Sequence, residues 1–478
     1  MQKRKLMTAI AVTGSLFAAT TQAHADTGYT ATFSTSITYM NVGASSATIS
    51  LTYYAAGSST PISVPQPNLA AGAATSISAG SISELPSGFQ GSAVLSSDQP
   101  LAATAVQVST GAGTVVKNRP LSNGFAEGSS SVLIATILKD RYGVTTRFAV
   151  QNAHTADVDV AVEIKGTDGS TFNYNYPSIP AGSSKHVDVG DLAEIPAGFS
   201  GSATVTAHEH GTSTAAPIAA TAMELGTGDA YAAAFEGLTS GAETVYMPSA
   251  MCKYYGYSSF YAVQNTGASA TNVTVTYKQG NATVATASAT IAAGSKNSFL
   301  TCADGFPEGQ SGSAVISADA GGTVVALLKV NGNGLTAVTP ANATGAAKLA
   351  LPYVRWTPQA VFDAGTRQRA YIAVQNVGGA AIAAGAVTVK YTDASGATVA
   401  TQTLGDLGVG AKQSIKFMDV GGDNDFGYVA PSTYGGGAVI EGPVGSQLVA
   451  VVRIQSKSAD GTINYGEDYN GIPVVAAP

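Results

Sequence analysis

The segment Val263-Gln264-Asn265-Thr266-Gly267 decides how this 478-residue chain is interpreted, because versions of it recur at nearly constant intervals. The related segments centre on Asn41, Asn152 and Asn376, and successive asparagines lie 111, 113 and 111 residues apart. A fixed interval of this kind is typical of tandem structural repeats. Since domains usually contain roughly 100–150 residues, we expect four related domains.

Two further markers, both built on small residues, keep the same spacing. A turn glycine occurs once in each repeat, at Gly72, Gly182, Gly294 and Gly410. A run of small residues follows it, namely Gly91-Ser92-Ala93, Gly201-Ser202-Ala203, Gly312-Ser313-Ala314 and Gly436-Gly437-Ala438. The predicted domains are 26–126, 127–239, 240–344 and 345–470, preceded by a segment 1–25 and followed by a tail 471–478.

Each repeat also contains a stretch in which apolar and polar residues alternate. In the third repeat the apolar positions are Val273, Val275 and Tyr277. The corresponding residues are Ile49, Leu51 and Tyr53, then Val158, Val160 and Val162, then Val387, Val389 and Tyr391. This alternation, rich in β-branched and aromatic residues, is typical of strands with one buried face. The predicted fold class is all-β, with four tandem Ig-like antiparallel β-sandwich domains.

The combined pattern resembles the bacterial extracellular Ig-like repeats of the CARDB type. It consists of aromatic-x-Val-Gln-Asn-x-Gly, then Val-x-Val-x-Tyr, then Ala-Gly-Ser, and it extends over all four repeats. The first repeat departs from it with Met40 in place of glutamine, and the fourth has extra residues around 419–434. The resemblance implies surface-exposed sandwich domains like those of adhesins, sheaths and cell-wall proteins.

The first 25 residues have the layout of a secretory signal peptide. Lys3-Arg4-Lys5 precede an apolar run, and Ala23-His24-Ala25 matches a cleavage site. The run is shorter than the roughly 20 residues of a membrane span, so we expect no membrane insertion. The mature chain is expected to begin at Asp26 and to be secreted, either free outside the cell or at the cell surface.

Charge further narrows the class of partner. Charged residues make up 11% of the chain and the formal net charge is −7. Nucleic-acid binding needs clustered Lys and Arg to neutralise phosphates, so this sparse, acidic balance argues against a nucleic-acid partner.

Three repeats begin with an apolar segment, which contains Ile134, Met247 and Leu351 in turn. Ile134 precedes its marker asparagine by 18 residues, and the same distance before Asn41 leads to Ala23. Ala23 lies within the predicted signal peptide. The first domain is therefore expected to lack its opening strand after export.

The tail has the opposite character, since Ile472-Pro473 matches Met247-Pro248 and Leu351-Pro352 at the start of later repeats. An open sheet edge accepts an added strand. The predicted donor strand consists of Ile472, Pro473, Val474, Val475 and Ala476. The predicted acceptor residues of the first domain are Ile37, Tyr39, Val94 and Val106. Alternatively, the tail completes its own fourth domain or is disordered.

Such a contact joins different surfaces, so it propagates head to tail. The leading hypothesis is a structural subunit that polymerises with itself into an extracellular filament, sheath or surface layer. The alternative is a monomeric cell-surface adhesin or glycan-binding stalk built of the same repeats.

Cysteine usage adds one staple. Cys252 and Cys302 both lie in the third repeat, 50 residues apart. In an exported protein a pair within one domain favours a disulfide.

Motifs for chemistry are sparse. The sequence has no nucleophile, zinc or phosphate-loop motif, so we expect no enzyme, no cofactor and no resident metal. Three weaker possibilities are a surface metal site at His208-Glu209-His210, calcium at the oxygen-rich loop Asp423-Asn424-Asp425 with nearby Asp419, and sugar stacking on Trp356 or on Tyr254-Tyr255-Gly256-Tyr257.

Overall fold

Antiparallel strands make up nearly all of the regular structure in a computed structural model of the chain, so the all-β prediction is confirmed. The structure describes residues 8–12, 32–109, 119–227, 232–332, 335–430, 433–457 and 464–474. The signal-peptide residues outside 8–12 lie outside these ranges, as do Val475 and Ala476 of the predicted donor strand.

The strands fall into four similar series, one for each repeat. The first contains β1 (Thr8–Val12), β2 (Phe33–Asn41), β3 (Ala47–Ala55), β4 (Pro61–Leu69), β5 (Ala74–Ser78), β6 (Gly91–Ser97), β7 (Leu101–Ser109) and β8 (Leu121–Asn123). The second contains β9 (Ser131–Lys139), β10 (Val144–Asn152), β11 (Val158–Gly166), β12 (Thr171–Ile179), β13 (Ser184–Asp188), β14 (Phe199–Glu209), β15 (Ile218–Gly226) and β16 (Ala232–Glu236). The third contains β17 (Thr244–Cys252), β18 (Ser258–Asn265), β19 (Thr271–Gln279), β20 (Ala282–Ile291), β21 (Lys296–Leu300), β22 (Gln310–Ala318), β23 (Val324–Gly332) and β24 (Leu335–Pro340).

The fourth series is the most elaborate. It contains β25 (Lys348–Leu351), β26 (Arg369–Asn376), β27 (Thr388–Asp393), β28 (Thr398–Thr403), β29 (Lys412–Lys416), β30 (Tyr428–Ala430), β31 (Thr433–Tyr434), β32 (Gly436–Glu441), β33 (Leu448–Lys457), β34 (Asn464–Asn470) and β35 (Ile472–Pro473). Two short helices, α1 (Gln359–Asp363) and α2 (Met418–Gly421), also belong to it. They lie in the longer connections that distinguish this repeat.

Every repeat folds into two four-stranded sheets with the same strand order. In the second repeat these sheets are β9-β14-β11-β12 and β13-β10-β15-β16. The fourth repeat adds β35 outside β25, which gives one sheet a fifth strand. The predicted alternation is visible directly, because Val273, Val275 and Tyr277 are fully buried between the sheets of the third repeat.

The repeated asparagines have a clear structural role. Asn152 is fully buried, and its Nδ2 donates to the carbonyl oxygens of Ala156 and Ile179 at 2.8 and 2.9 Å. Its Oδ1 accepts from the backbone N–H of His154 at 2.7 Å. The other three asparagines make equivalent bonds. Each asparagine therefore ties a turn to the end of a neighbouring strand.

The four sandwiches close into a ring, because each repeat contacts the next and the fourth contacts the first. The two small-residue markers meet at these interfaces. Ser92, Ser202 and Ser313 donate through Oγ to the carbonyl oxygens of Gly182, Gly294 and Gly410 at 2.6, 2.8 and 2.7 Å. These turn glycines have φ between 70° and 75°, a region that glycine adopts without strain.

The interface between the fourth and first repeats is built differently. Gly437 replaces the serine, and a Cβ at that position would lie 3.0 Å from Met40 Sδ. Thr392 Oγ1 instead donates to the carbonyl oxygen of Gly72 at 2.9 Å. The departure of Met40 from the glutamine pattern is thus matched by Gly437 on the facing repeat.

The last strand of each repeat lies at the centre of the ring. Asn123, Glu236, Pro340 and Asn470 occupy equivalent positions on β8, β16, β24 and β34. Asn123 Nδ2 donates to the carbonyl oxygen of Asn470 at 3.0 Å, and Asn470 Nδ2 donates to that of Pro340 at 2.8 Å. The backbone N–H of Asn123 donates to the Glu236 carboxyl. The ring is therefore closed by polar contacts at its axis.

Glu236 makes ring stability depend on pH. Burial raises the pKa of Glu236 from its usual 4.5 to about 7. Because the folded state holds this proton more tightly than the unfolded chain, the stability is full below pH about 4.5 and declines as the pH rises to about 7. We expect E236Q to remove about 1–2 kcal/mol of that decline, given the partial exposure of the residue.

The measurement is the melting temperature between pH 4.5 and 8. E163Q is the matched control, since Glu163 is 44% exposed beside Lys165. Parallel pH profiles for the wild type and E236Q would contradict this assignment.

Candidate functional site

The opening-strand position of the first sandwich is filled by residues from the predicted signal peptide. β1 pairs antiparallel with β6, in a register that places Val12 opposite Ala93 and Ile10 opposite Leu95. In the later repeats Ile134 lies opposite Ala203, Met247 opposite Ala314 and Leu351 opposite Ala438. The strand Thr8–Val12 therefore occupies the place of an opening strand.

This arrangement differs in register from the prediction. Counting had placed the opening position at Ala23, whereas Val12 holds it. The count assumed that the connection between the opening strand and the asparagine keeps a constant length. The connection of the first repeat, residues 13–31, is longer than that of the second. Both Ala23 and Val12 nevertheless lie within the predicted signal peptide.

The predicted acceptor residues occupy different places. Ile37 and Tyr39 are both 1% exposed and belong to the core of the first sandwich, on the sheet that faces β6. Val94 is on β6 itself, paired with Ala11 of β1. Val106 points away from this core and packs in the hydrophobic cluster of the fourth repeat, with Leu121. The structure therefore brings three of the four to the sandwich whose edge β1 completes.

The described part of the tail pairs within its own chain. Ile472 lies opposite Ala350 and Pro473 opposite Leu349, and the N–H of Val474 donates to the carbonyl oxygen of Lys348 at 3.0 Å. This is the self-complementing alternative of the sequence analysis. Exchange of the tail between chains stays a prediction.

The position of Ile472 within the repeat also differs from the prediction. Leu238 pairs with Leu133, and Asn342 with Tyr246, immediately after the last strands of the second and third repeats. Ile472 makes the same contact after β34 and so ends the fourth repeat. The spacing from the marker alanine had suggested the start of a fifth, because it did not separate this short contact from the opening strand that follows it.

The tail lies at the interface that closes the ring. Ile472 and Val474 are partly buried against a cluster formed by Met40, Ala74, Ala102 and Ala350. The first three belong to the first repeat. The predicted donor segment and the sandwich completed by β1 are therefore on the same two neighbouring repeats.

The disulfide prediction is confirmed, since Cys252 and Cys302 are bonded with their Cα atoms 4.9 Å apart. The bond joins the end of β17 to the segment after β21. It fixes the base of the hairpin that carries Tyr254 and Tyr255.

The oxygen-rich loop of the fourth repeat is used by the protein itself. Asp423 accepts from Trp356 Nε1 at 3.0 Å and from Arg369 Nη2 at 2.8 Å. Asp425 accepts from Thr357 Oγ1 at 2.7 Å and pairs with Arg367. Trp356 is 1% exposed and lies under the Arg369 guanidinium. It is therefore closed to sugar stacking, and the loop carboxylates already have cationic partners.

The histidine motif of the second repeat shows the same self-satisfaction. His210 Nδ1 lies 2.7 Å from Asp159 Oδ1, and His154 Nε2 lies 3.5 Å from Glu209. Within the described ranges, His, Cys, Asp and Glu form no group of three suited to a metal ion. In the same part of the chain, no helix is long and apolar enough to cross a membrane.

Comparisons with known proteins yield weak likenesses. No protein-family model matches the chain, and no curated protein matches it. Among solved structures, the Thermotoga maritima 1070 protein is 14% identical with a TM-score of 0.20, covering 23% of this chain and 94% of that one. The Anabaena sensory rhodopsin transducer is 22% identical with a TM-score of 0.16, covering 20% and 93%. A tetra-tandem repeat in the extending region of a large adhesion protein is 12% identical with a TM-score of 0.10, covering 94% and 97%.

Proposed function

We propose that this protein is an exported structural subunit that polymerises head to tail by strand exchange. The observation that carries the proposal is the pairing of β1 with β6, because β1 comes from the segment predicted to be removed during export. Removal of residues 1–25 would leave the N–H and C=O groups along one side of β6 without partners, beside the buried Ala93 and Leu95. An edge of this kind recruits a strand.

The tail of a second chain is the proposed donor. In its own chain the tail forms two residue pairs and one further backbone bond. β1, in contrast, pairs with β6 over five residues. Transfer would thus replace a short pairing with a longer one, and burying two apolar side chains would add roughly 1.5–3 kcal/mol each before ordering costs.

The proposed polymer has a defined direction. The acceptor edge belongs to the first repeat and the donor to the end of the fourth, so each joint leaves one free acceptor and one free donor. Unless the rotation between subunits closes a larger ring, such a contact continues indefinitely.

The test compares three chains at micromolar concentration by sedimentation velocity and negative-stain electron microscopy. The chain 26–478 should form polymers. The chain 7–478, produced without export so that β1 is retained, should remain a monomer because its edge is filled. The chain 26–471 should also remain a monomer, because it lacks the donor.

The outcomes separate the parts of the proposal. Polymers from both 26–478 and 26–471 would show that the tail is not the donor. Monomers from 26–478 with the melting temperature of 7–478 would show that the first sandwich is complete without an added strand, and would refute the polymer.

A further inference from the structure

A cleft of about 670 Å³ lies between the third and fourth repeats, away from the edge where β1 binds. Its volume is within the range of small-molecule sites. The third repeat contributes Tyr254, Tyr255 and Tyr257, and the fourth contributes Tyr371 together with Lys412. The walls therefore combine aromatic rings with a cationic group.

The aromatic wall is carried by the hairpin between β17 and β18. Tyr254 and Tyr257 bond to each other through both backbone N–H groups at 2.9 Å. Tyr255 and Gly256 between them have φ of 49° and 82°, and a tyrosine rarely adopts such a φ. The turn projects Tyr255, which is 77% exposed, edge-on to the Tyr254 ring. The neighbouring disulfide anchors this hairpin at its base.

Two polar groups of the cleft lack the partners that their burial demands. Tyr257 is 6% exposed, yet its hydroxyl has no hydrogen-bond partner among the described residues. Lys412 Nζ contacts the hydroxyls of Ser311 at 2.7 Å and Ser414 at 3.3 Å, with no carboxylate bonded to it in the described ranges. Buried polar groups are normally satisfied, so both point to a bound molecule.

The charges of the cleft favour an anion. Arg453 is engaged by Asp468 through Nε and Nη2, while its Nη1 has a weak contact with Met251 Sδ at 3.7 Å. The Asp419 carboxylate accepts from the backbone N–H of Lys416 at 3.1 Å. The Lys412 ammonium thus has no compensating anion, even though burial, reinforced by Arg453, lowers the pKa of Lys412 to about 8.

We propose that this cleft binds a carboxylated sugar, a hexuronate unit, with its carboxylate on the Lys412 ammonium and its ring against the tyrosines. The C–H face of a pyranose packs on an aromatic ring, and the Tyr257 hydroxyl provides a hydrogen bond to a sugar hydroxyl. A neutral sugar would leave Lys412 without a counter-ion. A small carboxylate without a ring would leave the tyrosines uncovered.

The test titrates D-glucuronate, D-glucose and acetate into the chain 26–478, by calorimetry and by saturation-transfer NMR. Glucuronate should bind at least tenfold more tightly than glucose or acetate. K412M should abolish the preference for glucuronate over glucose, whereas K412R should retain it. Y255A should weaken glucuronate binding at least tenfold.

Y142A is the matched control, since Tyr142 occupies the equivalent hairpin turn of the second repeat, with φ 57° and 83% exposure. It should leave binding unchanged. Equal weakening by Y142A and Y255A, equal affinities for glucuronate and glucose, or no detectable glucuronate binding at 10 mM ligand (about 3 kcal/mol at a Kd of this order) would each overturn the proposal. None of these results depends on whether the chain polymerises.

Discussion

Replacing Glu224 with alanine is expected to cost about 3–5 kcal/mol of unfolding free energy, the usual penalty for breaking a buried ion pair. Glu224 on β15 bonds to the Lys329 ammonium on β23, and their side chains are 2% and 7% exposed. A second cation, Lys296, lies close by and donates to Thr136 Oγ1 at 2.8 Å. Burial, with Lys329 nearby, lowers the pKa of Lys296 to about 7.

E224A would leave these two ammonium groups facing each other at the interface of the second and third repeats. Calorimetry should therefore show a large loss of melting temperature. The double variant E224L/K329M removes the pair together and should recover most of the loss, because replacing a whole buried pair by apolar residues is often neutral. E163A, at an exposed position of the same repeat, is the control. A change in E224A no larger than in E163A would contradict a structural role for the pair.

The second large effect is expected for N152A, at about 3–5 kcal/mol. The substitution removes three hydrogen bonds at a fully buried site and leaves two carbonyl groups and one N–H group without partners. An unsatisfied buried group costs roughly 1–3 kcal/mol. N152D should be nearly as damaging, because a carboxylate has no N–H donors for the two carbonyls.

Guanidinium denaturation followed by calorimetry measures this effect. The control is N175A, since Asn175 is exposed on β12 of the same repeat, and surface substitutions usually change stability by less than about 0.5 kcal/mol. If N152A unfolded like N175A, the repeated asparagines would have to be explained by something other than turn anchoring.

The repeat pattern and strand class were predictable because both are written in local sequence. A buried asparagine that binds its own turn must recur with the turn, and alternation follows from the two faces of a strand. The disulfide was predictable for a similar reason, as both cysteines belong to one repeat. These features depend on residues that are near one another in the chain.

The ring and the cleft could not be predicted in this way. Ser313 and Gly410 were visible as separate markers, but their contact depends on how two sandwiches pack. Lys412 and Tyr255 belong to different repeats, and nothing in either local pattern pairs them. The orphaned Tyr257 hydroxyl is a property of the folded cleft alone.

The opening strand of the first repeat was a different problem. An apolar run such as Ile10-Ala11-Val12 suits both the core of a signal peptide and a buried strand, since both require side chains that leave water. Composition therefore does not distinguish the two uses. The expected Ala23 was reached by counting, which cannot detect a longer connection.

Encoding four related units in one polypeptide has a consequence at the centre of the assembly. Four separate identical chains would repeat every residue four times around the axis, and a carboxyl at the Glu236 position would face three copies of itself. Here the equivalent sites hold Asn123, Glu236, Pro340 and Asn470. Covalent linkage thus releases the protein from rotational symmetry, so that after duplication one unit could gain a disulfide and another an arginine–tryptophan stack while the shared architecture was kept.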